Sequence, residues 1–208
     1  MKVDLEGLET GQRHLWPELS GTPPEFVLYG GVALTLRFRH RHSSDFDFFC
    51  WQDFDPHELL ERVPYLEGAR VLQLSENTLT CLVQREKPVK LSFFGVPKLG
   101  QVGVPEIEEQ TGLRIASILD IAATKASVIQ KRAASRDYLD MHLLLTEGGL
   151  ALEAILAAAG RVYGPIFNPQ ITLKAMSYFA DGDLSSLPEH VKMRLQDEVR
   201  CLGLENLS

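Results

Sequence analysis

The sequence predicts an α+β chain: a mixed β-sheet with flanking helices over residues 1–115, then a helical region over 116–208 packed on that core. Three observations carry this prediction. A short apolar run at residues 26–29 ends in Gly30-Gly31 and leads through a helical stretch into the aromatic, alternating run at 45–50. Residues 70–74, 78–84 and 89–94 alternate and are separated by Glu76-Asn77 and Arg85-Glu86-Lys87-Pro88, the pattern of an antiparallel meander. Beyond Leu113 the texture turns helical, with segments at 117–133, 135–146, 150–162, 168–180 and 188–202 broken by Gly148-Gly149, Gly164-Pro165 and Gly182.

The elements follow in order. Residues 5–16 read as a short helix stopped by Pro17 and the Ser-Gly-Thr-Pro-Pro stretch. The run at 26–29 reads as a buried strand, and 33–39 as a helix started by the glycine turn. Asp55-Pro56 supplies an N-cap and first-turn pair for a helix through Leu59, Leu60 and Val63. Gly95, Pro97, Gly100, Gly103 and Pro105 mark a looser passage before the helices. The last helix carries a solvated acidic face with Glu189, Asp197, Glu198 and Glu205.

The 208 residues suffice for one domain, or a core plus a helical extension, without disulfide staples. A formal charge of −7 argues against a chain that coats nucleic acid by bulk charge, while a local basic patch remains compatible with it. Cys50, Cys81 and Cys201 are odd in number, scattered and without a Cys-x-x-Cys pair, which predicts reduced thiols in the cytoplasm rather than a zinc site. The start MKVDLEGLET lacks the apolar core of a signal peptide, and no apolar run approaches the ~20 residues that span a bilayer.

The chemistry concentrates at residues 26–49. Side chains alternate along a strand, so Asp45 and Asp47 share one face while Phe46 and Phe48 share the other. Two neighbouring carboxylates repel each other and call for a cation. Magnesium suits them, because it takes one or two carboxylates and completes its octahedron with water and substrate phosphates. Gly30 and Gly31 let the backbone approach a phosphate, and the amides of the following helix point at the anion. Arg37, Arg39, Arg41, Ser43 and Ser44 lie between these two halves. Arg41 and Ser43 are candidates for a triphosphate, or for an RNA backbone. Solvated arginines and a serine turn account for the same residues without a ligand.

The stretch Leu28-Tyr29-Gly30-Gly31, then Asp45-Phe46-Asp47-Phe48, resembles the signature of the nucleotidyltransferase superfamily. The fuller run GGVALTLRFRHRHSSDFDFF is similar to the AbiEii/AbiGii toxin branch, and LDIAATKASVIQKRAASRDYLDMHLLL at 119–145 resembles its second block. The residues that match there are Lys125, Arg132, Arg136, Asp137 and Asp140. The resemblance implies a nucleotidyltransferase-like mixed sheet, Mg2+ and a nucleoside triphosphate. It also implies nucleotidyl transfer to a hydroxyl acceptor such as tRNA or protein, and an antitoxin partner. It carries catalytic roles to Asp45, Asp47, Lys125, Asp137 and Asp140, metal ligation to Asp45 and Asp47, and nucleotide binding to Gly30, Gly31, Arg41, Ser43 and Lys125.

The same resemblance leads one to expect a third carboxylate on a neighbouring strand, and Ser92 stands at that position. Three outcomes follow: activity with one strongly held ion, recruitment of Asp120, Asp137 or Asp140, or nucleotide or partner binding without turnover. The second block also reads structurally. Lys125 lies at the edge of the stripe Ile118, Ala122, Ala126 and Ile129, either facing a phosphate or snorkelling at the surface. Ser135 is a candidate N-cap, and Asp137 in the first turn suits the helix dipole.

Overall fold

The computed structural model describes residues 1–203, so Glu205 lies outside the described residues. The chain divides into two compact units, Met1–Leu99 with Val104–Ser117, and Gly100–Gly103 with the chain from Ile118 onward. No helix among the described residues is long and apolar enough to cross a membrane.

In the first unit, α1 (Thr10–Leu15) is flanked by 3-10 turns at Leu5–Gly7 and Trp16–Gly21. The single helix expected over 5–16 is therefore only one regular piece of that stretch. Strand β1 (Val27–Tyr29) is buried throughout and passes directly into α2 (Gly30–Phe38). This helix begins at Gly30 rather than three residues later, because Gly30 takes φ +76 and turns the chain within one residue. Strand β2 (Asp45–Cys50) alternates as expected, with Phe46, Phe48 and Cys50 buried and the aspartates on the partly exposed face. Phe48 stacks on Phe93 with centroids 5.0 Å apart, and Phe93 meets Phe26 edge-on at 5.2 Å, so this face fills the core.

Helix α3 (Pro56–Arg62) is capped by Asp55, whose carboxylate accepts from the His57 amide. The meander follows as β3 (Arg70–Ser75), β4 (Thr78–Gln84) and β5 (Pro88–Gly95). Asn77 makes the first turn at φ 56. Two-residue strands β6 (Glu106–Ile107) and β7 (Arg114–Ile115) complete a seven-stranded sheet of order β3-β4-β5-β2-β1-β7-β6. The loose passage gave no sign of them, because two residues are too short to display alternation. Strand β2 is antiparallel to β1 and parallel to β5.

The second unit holds α4 (Ile118–Val128), α5 (Ser135–Thr146), α6 (Leu152–Tyr163), α7 (Pro169–Ser177) and α8 (Glu189–Cys201). Asn168 caps α7 by accepting from the Gln170 amide. The segment expected over 117–133 ends as a helix at Val128, and the rest turns toward α5. Asp120 is 1% exposed and accepts from the amides of Val102 and Gly103 at 2.9 and 2.7 Å, which ties that short piece of chain to α4. Ser135 does not cap α5: the N-cap is Ala134, and the Ser135 amide and hydroxyl both donate to Asp183.

Candidate active site

The antiparallel register of β1 and β2 sets Tyr29 opposite Asp47, so the chain leaves β1 into the glycine turn directly beside that aspartate. A Cβ added at Gly30 would lie 2.7 Å from Asp47 Oδ2. One added at Gly31 would lie 2.5 Å from Ser43 Oγ and 2.6 Å from an Arg41 Nη2. The glycine turn, Asp47, Arg41 and Ser43 therefore form one close-packed group, and any larger side chain at either glycine would displace it. The N-cap Tyr29 makes no side-chain cap bond to α2, which leaves the first amides of a nine-residue helix to other acceptors.

Two buried residues shape the loop that carries Arg41 and Ser43. Thr35 Oγ1 lies 3.0 Å from the Gly31 carbonyl and 2.9 Å from the Arg41 carbonyl. Gln12 Nε2 donates to the Ser43 carbonyl at 2.9 Å. Arg39 ends α2 in the left-handed region at φ 52, with its amide bonded to the Thr35 carbonyl. Neither Gln12 nor Thr35 was singled out from the sequence. Each is a lone polar residue on a buried helix face, and only the tertiary position of the loop discloses what it holds.

Asp45 is 29% exposed at its side chain and pairs with Lys90 Nζ at 3.1 Å, and Ser44 Oγ donates to its other oxygen at 3.0 Å. The parallel register of β2 and β5 places Lys90 beside Asp45 and Ser92 beside Asp47. Ser92 is buried, and Thr80, its neighbour on β4, donates to its hydroxyl at 3.4 Å. Strands β1, β4 and β5 carry no acid at all, so that face continues into Lys90 beside Asp45 and into neutral hydroxyls beside Asp47. Among the described residues no group of three or more His, Cys, Asp or Glu stands ready to hold a metal. Asp47 against the glycine turn, with Asp45 two residues away on the same strand face, fits an ion that needs substrate phosphates to complete its shell.

The charged residues of the second block gather within the helical unit. Lys125 on α4 is not at the surface: its side chain is 8% exposed and its ammonium reaches Asp137 at 2.9 Å and Asp140 at 2.5 Å. Arg132 adds a bond to Asp137 at 2.7 Å. Both aspartates are fully buried, and with Lys125 and the half-exposed Arg132 the four side chains balance in charge. Burial pushes the Asp137 carboxyl up, but the Arg132 hydrogen bonds and the Lys125 charge outweigh it and hold it below the ordinary carboxylate range. Asp120, occupied with its two backbone amides, belongs to neither group.

A mixed sheet with a glycine turn against a strand-borne aspartate pair is the architecture of a nucleotidyltransferase. A family profile described as the nucleotidyl transferase AbiEii toxin of type IV toxin–antitoxin systems matches residues 15–199, and the chain belongs to that family. It is 33% identical over 159 residues to the uncharacterized protein aq_aa25 of Aquifex aeolicus (strain VF5), covering 76% of this chain and 75% of that protein. In structure it is similar to JHP933 from Helicobacter pylori, with a TM-score of 0.55 at 17% identity over 94% of this chain and 96% of that one. A second H. pylori chain, a proposed nucleotidyltransferase, gives a TM-score of 0.53 at 20% identity over 98% of this chain and 97% of its own. At these identities the two structures speak to the fold.

Proposed function

We propose that this chain is a Mg2+-dependent transferase that moves a nucleoside monophosphate from a nucleoside triphosphate to a hydroxyl acceptor on tRNA or protein. It acts in the cytoplasm as the toxin of a toxin–antitoxin pair. The supporting observation is the contact of the Gly30-Gly31 turn with Asp47, Arg41 and Ser43. It brings a glycine turn, a cationic group and a carboxylate to one place.

Asp45 and Asp47 are the residues that would hold the metal, which when bound neutralises triphosphate charge and orients the α-phosphorus. Gly30, Gly31 and the first amides of α2 receive phosphate oxygens, and Arg41 and Ser43 donate to the departing pyrophosphate. The acceptor oxygen forms a bond to the α-phosphorus as the bond to the bridging pyrophosphate oxygen breaks, and the acceptor proton passes to solvent or to a carboxylate of the pair. Lys125, Asp137 and Asp140 are the charged residues assigned to catalysis from the helical unit, where mutual pairing orients the ammonium.

Transfer from α-labelled triphosphates tests this reading. Asp45→Asn and Asp47→Asn are each expected to lower labelling by about a hundredfold or more while the far-ultraviolet spectrum stays unchanged. Full labelling by both variants would refute the mechanism. The neutral Ser92 beside Asp47 favours one alternative, a nucleotide-binding or partner-binding module without turnover. Tight triphosphate binding by calorimetry with no pyrophosphate release would establish that alternative.

A further inference from the structure

We infer that the Lys90 ammonium occupies the role of a second cation beside the aspartate pair, so that the site takes up one divalent ion rather than two. This rests on the nucleotidyltransferase reading and deepens it. Lys90 is fixed by the parallel β2–β5 register directly beside Asp45, and its Nζ lies 3.1 Å from Asp45 Oδ2. The pair is partly open, with the lysine side chain 40% exposed and the aspartate 29%. It therefore faces the solvent from which nucleotide and metal arrive. Two residues along the same strand, beside Asp47, buried Ser92 and its β4 neighbour Thr80 offer only neutral hydroxyls.

Charge bookkeeping supports the assignment. A two-metal phosphoryl-transfer site places divalent ions roughly 3.5–4 Å apart between shared carboxylates. Three carboxylates with two divalent ions leave a single positive charge facing the triphosphate. Two carboxylates, one ammonium and one divalent ion leave the same single positive charge. A second divalent ion would have to settle beside an ammonium with one ligand fewer, and mutual repulsion opposes that. Lys90 is thus a positioning residue: it acts through Asp45 and sets how many ions the pair accepts.

Manganese uptake tests this without reference to turnover. The full-length protein is titrated with Mn2+ in the presence of a non-hydrolysable triphosphate, and free Mn2+ is read by electron paramagnetic resonance. The wild type is expected to hold about one ion per chain, Lys90→Arg about one, and Lys90→Met about two. A lysine that merely decorates the surface would leave the count unchanged in Lys90→Met, and that result would overturn the inference at any level of activity. A wild type that takes up two ions would overturn the inference and leave the nucleotidyltransferase reading standing. A wild type that takes up none, even with nucleotide, would bring down both.

Discussion

At the scale of single residues the most constrained position is Gly30. Its φ of +76 lies where side chains are disfavoured, and a Cβ there would meet Asp47 Oδ2 at 2.7 Å, well inside contact distance. Gly30→Ala is therefore expected to displace Asp47 and to destabilise the chain by about 1–3 kcal/mol. Labelling should fall at least as far as in Asp47→Asn, and a urea midpoint read beside the transfer rate checks both parts. Gly31 is crowded differently, by the ends of Arg41 and Ser43 rather than by a strand-borne carboxylate. Gly31→Ala should then raise the KM for triphosphate more than it lowers the melting temperature, because a flexible arginine can move aside. The need for glycine was legible in the sequence, where a double glycine follows a buried strand. Arg41 and Ser43 were named with it, but the support of their loop by Thr35 and Gln12 was not legible, because those contacts join residues apart in the chain.

At the scale of elements, α4 and α5 are joined by ions rather than by apolar packing alone. Lys125 meets two fully buried carboxylates, and removing it takes a positive charge from beside both. Lys125→Met is expected to cost about 3 kcal/mol, seen as an earlier denaturant midpoint, and Lys125→Arg to recover only part of this in so confined a space. The same cluster dictates a pH dependence. The Asp137 carboxyl titrates lower in the folded chain than in the unfolded one, so its contribution is fully present above the ordinary carboxylate range. That contribution is lost as pH falls through the depressed folded value. Stability measured from pH 6 to pH 2 should drop along this limb, and Asp137→Asn should be less stable at neutral pH with a flatter acid limb. A wild-type limb no steeper than that of Asp137→Asn would contradict the assignment. The sequence named the residues of this cluster together but not their burial. A lysine beside an alanine stripe looks the same whether it faces water or two acids on the next helix.

At the scale of the whole molecule, the sheet ends on one side in β3, whose six residues are all exposed. Val71, Leu72 and Leu74 are 41%, 48% and 37% exposed on this edge. An open edge with apolar side chains favours pairing with other chains. Leu72→Lys should raise the protein concentration at which light scattering appears and leave nucleotide transfer unchanged, since β4 and β5 separate β3 from β2. The net charge of −7 bears on the acceptor in turn: RNA binding should depend on few phosphates and show a shallow salt slope. The mixed sheet followed by helices, the glycine turn, the aspartate pair and the neutral Ser92 were all legible in the order of residues. Alternation, helical period and turn chemistry are local, and each is written within a few neighbouring residues. Folding in three dimensions adds that Lys90 sits on Asp45, that Thr35 and Gln12 hold the loop carrying Arg41 and Ser43, and that Lys125 is buried between acids. Those facts depend on strand register and on contacts between residues distant in the chain, where long-range packing rather than local preference selects the neighbour.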